Sequence, residues 1–397
     1  MDFSQKMNEE FKTFLEETQN EKFKTPLEIP INIWGNPGWE LLKKKQIEET
    51  MLPFIKHNIT RAQKTMPIYT TAYARSNFSK NASIEDFYSI PLLVKDAAVG
   101  GISFREKINK NPYCMLPKDI KKPCQIYKSG GTKGVATPTF ITVLDREIES
   151  TAFARGSSYL GIGEGDIVLS TYNPTHKGGE EIKEAILKNK ASFIQRRTTD
   201  SAAETIKTIK MYQVNSIVTS QGPLDKGDKE AKGGGVDLLS LIEAGSDILE
   251  QQIEKIILGG YLIIDEVIEW AETSKKNVGS LLGSSEAIPQ AGSTFFSEEE
   301  RLCKYNNLHL LNGPHYMEIL KHESGAWIPV KKGETGILVY TTIAREGTIY
   351  IRYAPGDQAT LLANECTCDC GIKSPIISNI KRIDNPSDIA STGCCVG

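Results

Sequence analysis

The stretch Tyr127–Phe140 reads YKSGGTKGVATPTF and places three glycines among Ser129, Thr132 and two lysines. Glycine accepts the φ > 0 conformations that let several backbone N–H groups face one anion, and hydroxyl and ammonium groups add donors for phosphate oxygens. The segment lacks the GK[ST] ending of a Walker loop and the GxGxxG spacing of a dinucleotide-binding fold. The residues after it alternate like a strand. The pattern predicts a phosphate-binding loop followed by a strand, with a flexible turn as the alternative.

The composition is that of a globular protein with two or three subdomains. The chain has 397 residues, of which 39% are hydrophobic and 24% charged, and its net charge is −3. This balance argues against a nucleic-acid partner, and no apolar run predicts a membrane span. The acidic N-terminus is unlike a signal peptide, so we expect a cytoplasmic protein. In that reducing compartment the eight cysteines are predicted to be metal ligands or reduced thiols.

The order of apolar patterns along the chain predicts an α/β fold. Residues 1–64 have a helical pattern, with a turn at Trp34–Trp39. From residue 166 onward, strand-like apolar runs alternate with amphipathic helices, which indicates mainly parallel sheets covered by helices. The predicted strands are Asp166–Tyr172, Ala191–Gln195, Asn215–Ser220 and Lys255–Leu258. The predicted helices are Leu144–Leu160, Gly179–Asn189, Ala202–Gln213 and Ile263–Ser274.

After about residue 300 the pattern changes to β-rich apolar runs. Gly336–Thr342 (GILVYTT) and Thr348–Tyr353 (TIYIRY) predict strands of a smaller, antiparallel, barrel-like subdomain. Asp225–Gly235, which is rich in lysine and glycine, predicts a loop in solvent.

Several short motifs occur in a fixed order around the glycine-rich loop. They are Pro91–Asp96 (PLLVKD) before the loop, and Gly283–Glu286 (GSSE), Arg352–Asp357 (RYAPGD) and Lys381–Asn385 (KRIDN) after it. This order resembles the adenylate-forming superfamily, and in particular its phenylacetate–CoA ligase branch. The resemblance covers residues 80–385.

The resemblance implies a division of the chain into three parts. Residues 1–300 would form an α/β adenylation core that begins with a helical segment (1–80). Residues 301–380 would form the β-rich barrel-like subdomain with a zinc site, and 381–397 a hinge remnant and short tail. Relatives usually carry a further C-terminal subdomain with a catalytic lysine. Because the sequence ends shortly after Asn385, we expect that subdomain to be missing, and its lysine to be dispensable or supplied by a partner.

The activity implied by the resemblance is ATP-dependent activation of an aryl or small carboxylic acid. The products would be an acyl-adenylate and pyrophosphate, and the acyl group would pass to CoA or to another acceptor thiol, amine or partner protein. Relatives on this branch are often dimers, and for this chain a homodimer or another oligomeric state stays open. No nucleic-acid or membrane partner is expected. Two alternatives stay open. One is a zinc-stapled, non-catalytic relative that binds a nucleotide or metabolite as a partner subunit, and the other is AMP transfer to a cofactor carboxylate.

The resemblance also assigns roles to individual residues. Glu286 would hold Mg²⁺, a hard cation suited to carboxylate oxygen. Asp357 would accept hydrogen bonds from the ribose hydroxyls, and Arg382 would lie near the ribose or the α-phosphate. The catalytic set is Glu286, Lys133 and His176. The cofactor-binding set is Ser129, Gly130, Gly131, Thr132, Gly134, Ser284, Ser285, Asp357 and Arg382.

Three of these assignments have plainer alternatives. His176 lies where the superfamily places a residue that gates the carboxylate pocket, but a loop histidine is often only solvated. Gly283–Glu286 alone also fits a helix-capping turn, and Gly356-Asp357 alone a β-turn. The order of the motifs favours the functional interpretation in each case.

The sequence departs from the family pattern at three further places. Lys133 replaces the usual threonine of the loop and Val135 its usual lysine, so the lysine is displaced by two positions. Gly259-Gly260-Tyr261 lacks the acid that usually follows two glycines there. Lys381-Arg382 stands in place of the usual Gly-Arg.

Cysteine and histidine spacing predicts a zinc site. The pair Cys303 and His309 and the pair Cys368 and Cys370 match elements of the same branch and supply three thiolates and one imidazole. That ligand set suits tetrahedral structural zinc. Cys366 is a spare thiol beside them, and buried reduced thiols are the alternative. Cys394 and Cys395 are interpreted as incidental residues of a polar tail.

Overall fold

The computed structural model describes residues 8–72, 82–94, 98–99, 102–121, 125–128, 137–220, 236–260, 262–284, 286–293 and 302–383. The chain forms two compact units. The parallel-sheet unit contains residues 149–311 and 367–371, and the antiparallel unit contains residues 2–148, 312–366 and 372–397. The predicted domain boundaries at residues 300 and 380 stay predictions.

Helices and strands alternate through the middle of the chain. The helices are α1 (Glu9–Gln19), α2 (Ile31–Trp34), α3 (Lys44–Thr65), α4 (Pro67–Ala72), α5 (Ile84–Tyr88), α6 (Phe104–Lys110), α7 (Val143–Tyr159), α8 (Lys177–Lys188), α9 (Ala202–Tyr212), α10 (Leu238–Gln252) and α11 (Asp265–Thr273). The strands are β1 (Leu93–Val94), β2 (Ala98–Val99), β3 (Ile102–Ser103), β4 (Gln125–Lys128), β5 (Pro138–Ile141), β6 (Ile167–Ser170), β7 (Ser192–Gln195), β8 (Ser216–Thr219), β9 (Lys255–Gly259), β10 (Asn277–Ser284), β11 (Ala287–Gly292), β12 (Leu308–Leu310), β13 (His315–Glu323), β14 (Ala326–Pro329), β15 (Thr335–Thr342), β16 (Tyr353–Ala354), β17 (Asp357–Ala363) and β18 (Ile376–Arg382).

The sheet of the parallel-sheet unit has the strand order β7-β6-β8-β9-β10, and neighbouring strands in this series run parallel. β11 and β12 continue it in antiparallel orientation. A helix follows each of β6, β7, β8 and β9 along the chain. The predicted α/β class with a mainly parallel sheet is therefore confirmed.

Both faces of this sheet are covered by helices. Neighbouring residues of a strand point to opposite faces, so Ile217 packs in the core with α9, α10 and α11, whereas Val218 packs with α7 and α8. In β9, Ile256 and Leu258 lie in the first core and Ile257 in the second. Because both faces are buried, the centres of β6, β8 and β9 consist of successive apolar residues without polar alternation.

The sequence prediction missed α10, β10 and β11. Helix α10 begins at a capping box in which Asp237 accepts a hydrogen bond from the backbone N–H of Ser240, and it is kinked at Gly245. The kink lets the helix approach α9, because a Cβ at Gly245 would lie only 2.8 Å from Ile206. A glycine in the middle of the apolar pattern is what hid this helix from prediction.

The antiparallel unit is built on a sheet with the order β14-β13-β15-β17-β18, in which neighbouring strands are antiparallel. β16 pairs with β15, and β1 lies parallel to β16. The antiparallel, β-rich character predicted after residue 300 is confirmed, and barrel closure stays a prediction.

The predicted N-terminal helices pack within the antiparallel unit. Trp34 at the end of α2 stacks on Trp39, with ring centroids 5.5 Å apart and planes at 4°. Helix α3 is fixed to the sheet by Asn58, a buried side chain that donates a hydrogen bond of 2.9 Å to the carbonyl of Thr342. Burial of an amide requires such a partner.

The predicted strand Thr348–Tyr353 is wrong in its extent, because only Tyr353 and the following alanine form strand β16. Side-chain hydroxyls replace ladder partners here: Tyr350 N–H donates to Thr342 Oγ1 and Arg352 N–H to Thr341 Oγ1. Arg352 also has a positive φ of 43°, which is incompatible with an extended strand.

In the described part of the chain, no helix has the length and apolarity to cross a membrane. The predicted solvent loop at Asp225–Gly235 lies outside the described residues, as do Cys394 and Cys395.

Candidate active site and metal centre

The strand order of the parallel-sheet unit creates a switch point between β6 and β8. The chain runs from β6 to β7 on one side and reaches β8 on the other side of β6, so the loops after β6 and β8 diverge. Ligands of open α/β sheets bind in the crevice at such a point, beyond the carboxyl ends of the strands. Here Thr171 Oγ1 and Thr219 Oγ1 lie 2.7 Å apart. The loop that contains His176 follows β6 directly.

His176 is the N-cap of α8, and its Nδ1 accepts a hydrogen bond of 3.2 Å from the backbone N–H of Gly178. A neutral ring in this arrangement carries its proton on Nε2. Desolvation and the nearby ammonium of Lys177 lower the pKa of His176, while Glu181 acts in the opposite direction. The imidazole is therefore neutral near pH 7 and carries its proton at Nε2.

Beside His176 lies a buried ionic group, which we call the Lys177 cluster and which consists of Lys177, Glu149 and Glu181. Lys177 Nζ is 3.0 Å from Glu149 Oε2 and 3.3 Å from Glu181 Oε1. Desolvation raises the pKa of Glu181, against the attraction of Lys177. The sequence prediction missed this cluster. Its only local signal was the i,i+4 spacing of Lys177 and Glu181.

Glu286 occupies the turn between β10 and β11, where Ser284 pairs with Ala287 in the antiparallel register. The predicted helix-capping alternative does not apply, because a strand precedes and follows this turn. The side chain of Glu286 is buried. A glutamate is rarely buried without a cation or hydrogen-bond donors around it, and the role of Glu286 as a magnesium ligand stays a prediction. Ser284 ends β10, and Ser285 lies outside the described residues.

Asp357 and Arg382 come together in the antiparallel unit. Asp357 begins β17, Arg382 ends β18, and the two residues are register partners. Arg382 Nη1 donates to Asp357 Oδ1 at 2.9 Å. The pair lies at the ends of two strands, with the arginine side chain 60% and the aspartate side chain 24% exposed. Such a pair can present both a carboxylate and a guanidinium to one polar ligand.

The glycine-rich loop itself lies outside the described residues, together with its predicted site residues Ser129, Gly130, Gly131, Thr132, Lys133 and Gly134. The strands on either side are described. β4 and β5 are antiparallel, and Lys128 is the register partner of Pro138. The predicted strand after the loop is therefore confirmed. The roles assigned to the loop residues stay predictions.

The cysteine and histidine residues predicted to bind zinc lie together. Cys368 Sγ is 3.3 Å from Cys303 Sγ and 3.0 Å from Cys370 Sγ, and Cys370 Sγ is 3.4 Å from His309 Nε2. Cys366, two residues before Cys368, has its sulfur within 4.8 Å of the other ligand atoms. A tetrahedral ion with Zn–S bonds of about 2.3 Å separates its ligand atoms by roughly 3.8 Å. The separations of 3.0–3.4 Å are shorter than this value, so it is the donor type and the grouping of the ligand atoms that fit zinc.

Burial supports the same interpretation. Cys303, His309 and Cys370 are buried, and Cys368 is partly buried. No disulfide joins the cysteines that the structure describes. Three thiolates and one imidazole would fill a tetrahedral ion without leaving a position for substrate, which is the arrangement of a structural site.

No protein-family model matches this sequence. A curated relative, the phenylacetate–coenzyme A ligase of Thermus thermophilus, is 19% identical over 350 residues, which cover 84% of this chain and 69% of that protein.

The three-dimensional structure of this chain is also similar to solved structures. A 2-hydroxyisobutyryl-CoA ligase in an open conformation, in complex with 2-HIB-AMP and CoA, has a TM-score of 0.70 and 17% identity, with 88% of this chain and 78% of that chain covered. The same ligase in its thioesterification state has a TM-score of 0.71 and 17% identity, with 88% and 71% covered. This chain shares the fold of 2-hydroxyisobutyryl-CoA ligase. The resemblance seen in the motifs and the predicted fold class are thereby confirmed.

Proposed function

We propose that this protein activates a carboxylic acid with ATP, forms an acyl-adenylate with release of pyrophosphate, and passes the acyl group to CoA or another acceptor. The fold shared with 2-hydroxyisobutyryl-CoA ligase carries this proposal. The ordered motifs support it, because Glu286 and Asp357 stand in the motifs that resemble the magnesium- and ribose-binding motifs of the superfamily. The phenylacetate–coenzyme A ligase relative supports an aryl or small acid as substrate.

In the proposed reaction a carboxylate oxygen attacks the α-phosphorus of ATP. The bond between this phosphorus and the oxygen that bridges to the β-phosphate breaks, and pyrophosphate leaves with the electron pair of that bond. Catalysis of such a step is mostly positioning and charge stabilisation. Mg²⁺, when bound, neutralises phosphate charge. The buried carboxylate of Glu286 suits that ion because magnesium prefers oxygen ligands.

The other residues have binding roles in this proposal. The Asp357 carboxylate accepts hydrogen bonds from the ribose hydroxyls, and Arg382 lies near the ribose or the α-phosphate. Ser129, Thr132 and Lys133 hold the β- and γ-phosphates. His176 donates from Nε2 to the carboxylate of the acid.

We further propose that Cys303, His309, Cys368 and Cys370 bind a structural zinc ion. Their donor set and grouping support this assignment. The ion would hold the turn after residue 302 and strand β12 to the segment 367–371, so its contribution would be to stability.

The proposal includes a cytoplasmic location, where thiolate ligands stay reduced, and a homodimeric state. Its partners are the acid and an acceptor, CoA among them, and no nucleic acid.

One observation favours a second candidate, a non-catalytic relative that binds nucleotide as a partner subunit. Gly259 and Gly260 are followed by tyrosine where the branch usually has an acid.

Trapping the intermediate tests the proposal. The protein is incubated with ATP, Mg²⁺ and hydroxylamine across a panel of aryl, small aliphatic and amino acids, and hydroxamate, AMP and pyrophosphate are quantified. The proposal expects all three products in equal amounts with at least one acid. ATP binding by calorimetry without AMP formation would favour the non-catalytic relative, and AMP attached to the acceptor would favour AMP transfer.

A further inference from the structure

The Lys177 cluster adjoins the candidate site but has no role in the reaction proposed above. Its side chains are at most 6% exposed, and they belong to two helices: Glu149 lies on α7, while Lys177 and Glu181 lie on successive turns of α8. The two ion pairs therefore tie the first turn of α8 to α7.

Stability alone is a poor explanation of this cluster. Desolvating an ion pair is costly, and replacing buried ion pairs with apolar residues of similar volume is often neutral or stabilising. Desolvation raises the pKa of Glu181, which reflects the cost of burying this charge.

The location of the cluster suggests what it does. Lys177 is the first residue of α8 and follows the N-cap His176 directly. The loop before it is already constrained: His176 N–H donates to the carbonyl of Asn173 at 3.1 Å, and a Cβ at Gly179 would lie 2.2 Å from that oxygen. The ring of His176 depends in turn on the N–H of Gly178, which lies in the first turn that Lys177 anchors.

We propose that Lys177 is a positioning residue, whose ion pairs to Glu149 and Glu181 hold His176 with Nε2–H available to the carboxylate of the acid substrate. This inference rests on the proposed function. The charged groups that face His176 are Lys177 and Glu181, and Glu180 faces Glu181 in turn.

The central test replaces the whole cluster with apolar residues. The triple variant Lys177→Met, Glu149→Leu, Glu181→Leu removes the three charges of the cluster together, so none of them is left without its partner in the cluster. We expect its melting temperature to equal or exceed that of the native protein. We also expect KM for the acid to rise roughly 10- to 100-fold while KM for ATP stays unchanged, because misplacement of one contact by about 1 Å has effects of that size. Lys183→Met, an exposed position on α8, is the matched control and should change neither.

A second readout is independent of activity. Selective ¹⁵N-histidine labelling gives few signals, because the chain has five histidines. The native protein should show His176 as the Nε2–H tautomer with a pKa below 6.5, and the triple variant a mixture of tautomers. The single variant Lys177→Arg, which keeps the positive charge, should show the same His176 tautomer as the native protein. Glu181→Gln, which leaves a neutral Lys177–Glu149 pair, should fold in any case and shift KM for the acid a few-fold in the same direction.

The proposal is overturned if the triple variant or Glu181→Gln keeps the native His176 tautomer and the native KM for the acid, and equally if KM for ATP rises in parallel. If the native protein shows no acid-dependent reaction, the proposed function fails, while the tautomer ratio still decides whether Lys177 positions His176.

Discussion

The cysteine and histidine cluster and the carboxylates Glu286 and Asp357 are two kinds of candidate ligand in one chain. The cluster offers soft sulfur and nitrogen donors, lies among buried residues, and would fill all positions of a tetrahedral ion. The carboxylates offer hard oxygen donors: Glu286 is buried at a turn, and the partly exposed Asp357 begins a strand. From this difference we expect substitutions in the cluster to lower stability and a substitution of either carboxylate to lower activity.

The largest effect is expected from Glu286→Gln, which removes the charge of the proposed magnesium ligand at nearly constant volume. Acid-dependent pyrophosphate exchange should fall roughly 100- to 1000-fold, or about 3–4 kcal/mol of transition-state stabilisation. The melting temperature should stay within a few degrees of the native value. Glu243→Gln, exposed on α10, is the control for surface charge. A large loss of stability with unchanged exchange would show that Glu286 has a structural role. It would contradict the expected difference between the carboxylates and the cysteine and histidine cluster.

Cys368→Ser should show the opposite behaviour. It removes one thiolate from the proposed zinc site, so we expect loss of bound zinc and a melting temperature lower by about 5–10 °C. Metal content by mass spectrometry and calorimetric unfolding measure the two effects. Cys114→Ser is the matched control, since Cys114 is a buried thiol outside the cluster. Equal zinc content in both variants would contradict the assignment.

Asp357→Asn sharpens the comparison within the carboxylates. If Asp357 binds the ribose hydroxyls, KM for ATP should rise roughly 10-fold, about 1.4 kcal/mol, with a smaller change in kcat. Arg382→Met separates this role from the cross-strand ion pair. Equal stability losses in both variants with native KM values for ATP would show that Asp357 serves only as the partner of Arg382.

The smallest effect concerns pH. Because the pKa of His176 is lowered in the fold, folding favours the neutral ring, and the contribution is complete above about pH 6.5 and is lost as the pH falls toward the folded pKa. His57, whose pKa is also lowered mainly by desolvation, adds the same trend. His176→Asn keeps an N-cap acceptor but does not titrate. Urea unfolding at pH 7.5 and 5.5 should therefore show a smaller acid destabilisation in the variant, and an identical loss would contradict the assignment.

Much of the fold could be predicted from local sequence patterns. The predicted strands Asn215–Ser220 and Lys255–Leu258 correspond to β8 and β9, because consecutive apolar residues at their centres fit strands that are buried on both faces. The Cys/His spacing likewise predicted which side chains lie together. Ligands that come in pairs on two short segments can be combined into one metal site in few ways.

What the sequence could not show depends on distant partners. Lys177 is a residue type that is normally exposed, and its partner Glu149 lies 28 positions earlier on another helix. The strand predicted through Arg352 failed because threonine hydroxyls of β15 took the places of ladder acceptors. Both outcomes are set by tertiary contacts that no local pattern contains.

The central claim, that this protein forms an acyl-adenylate, is tested most directly by ATP–pyrophosphate exchange in the native protein. Labelled pyrophosphate is supplied with ATP and Mg²⁺, and its incorporation into ATP is measured with and without each acid of the panel. The account predicts incorporation that requires the acid and is abolished by chelating Mg²⁺. Exchange that is absent with every acid, or that proceeds equally without one, would contradict it.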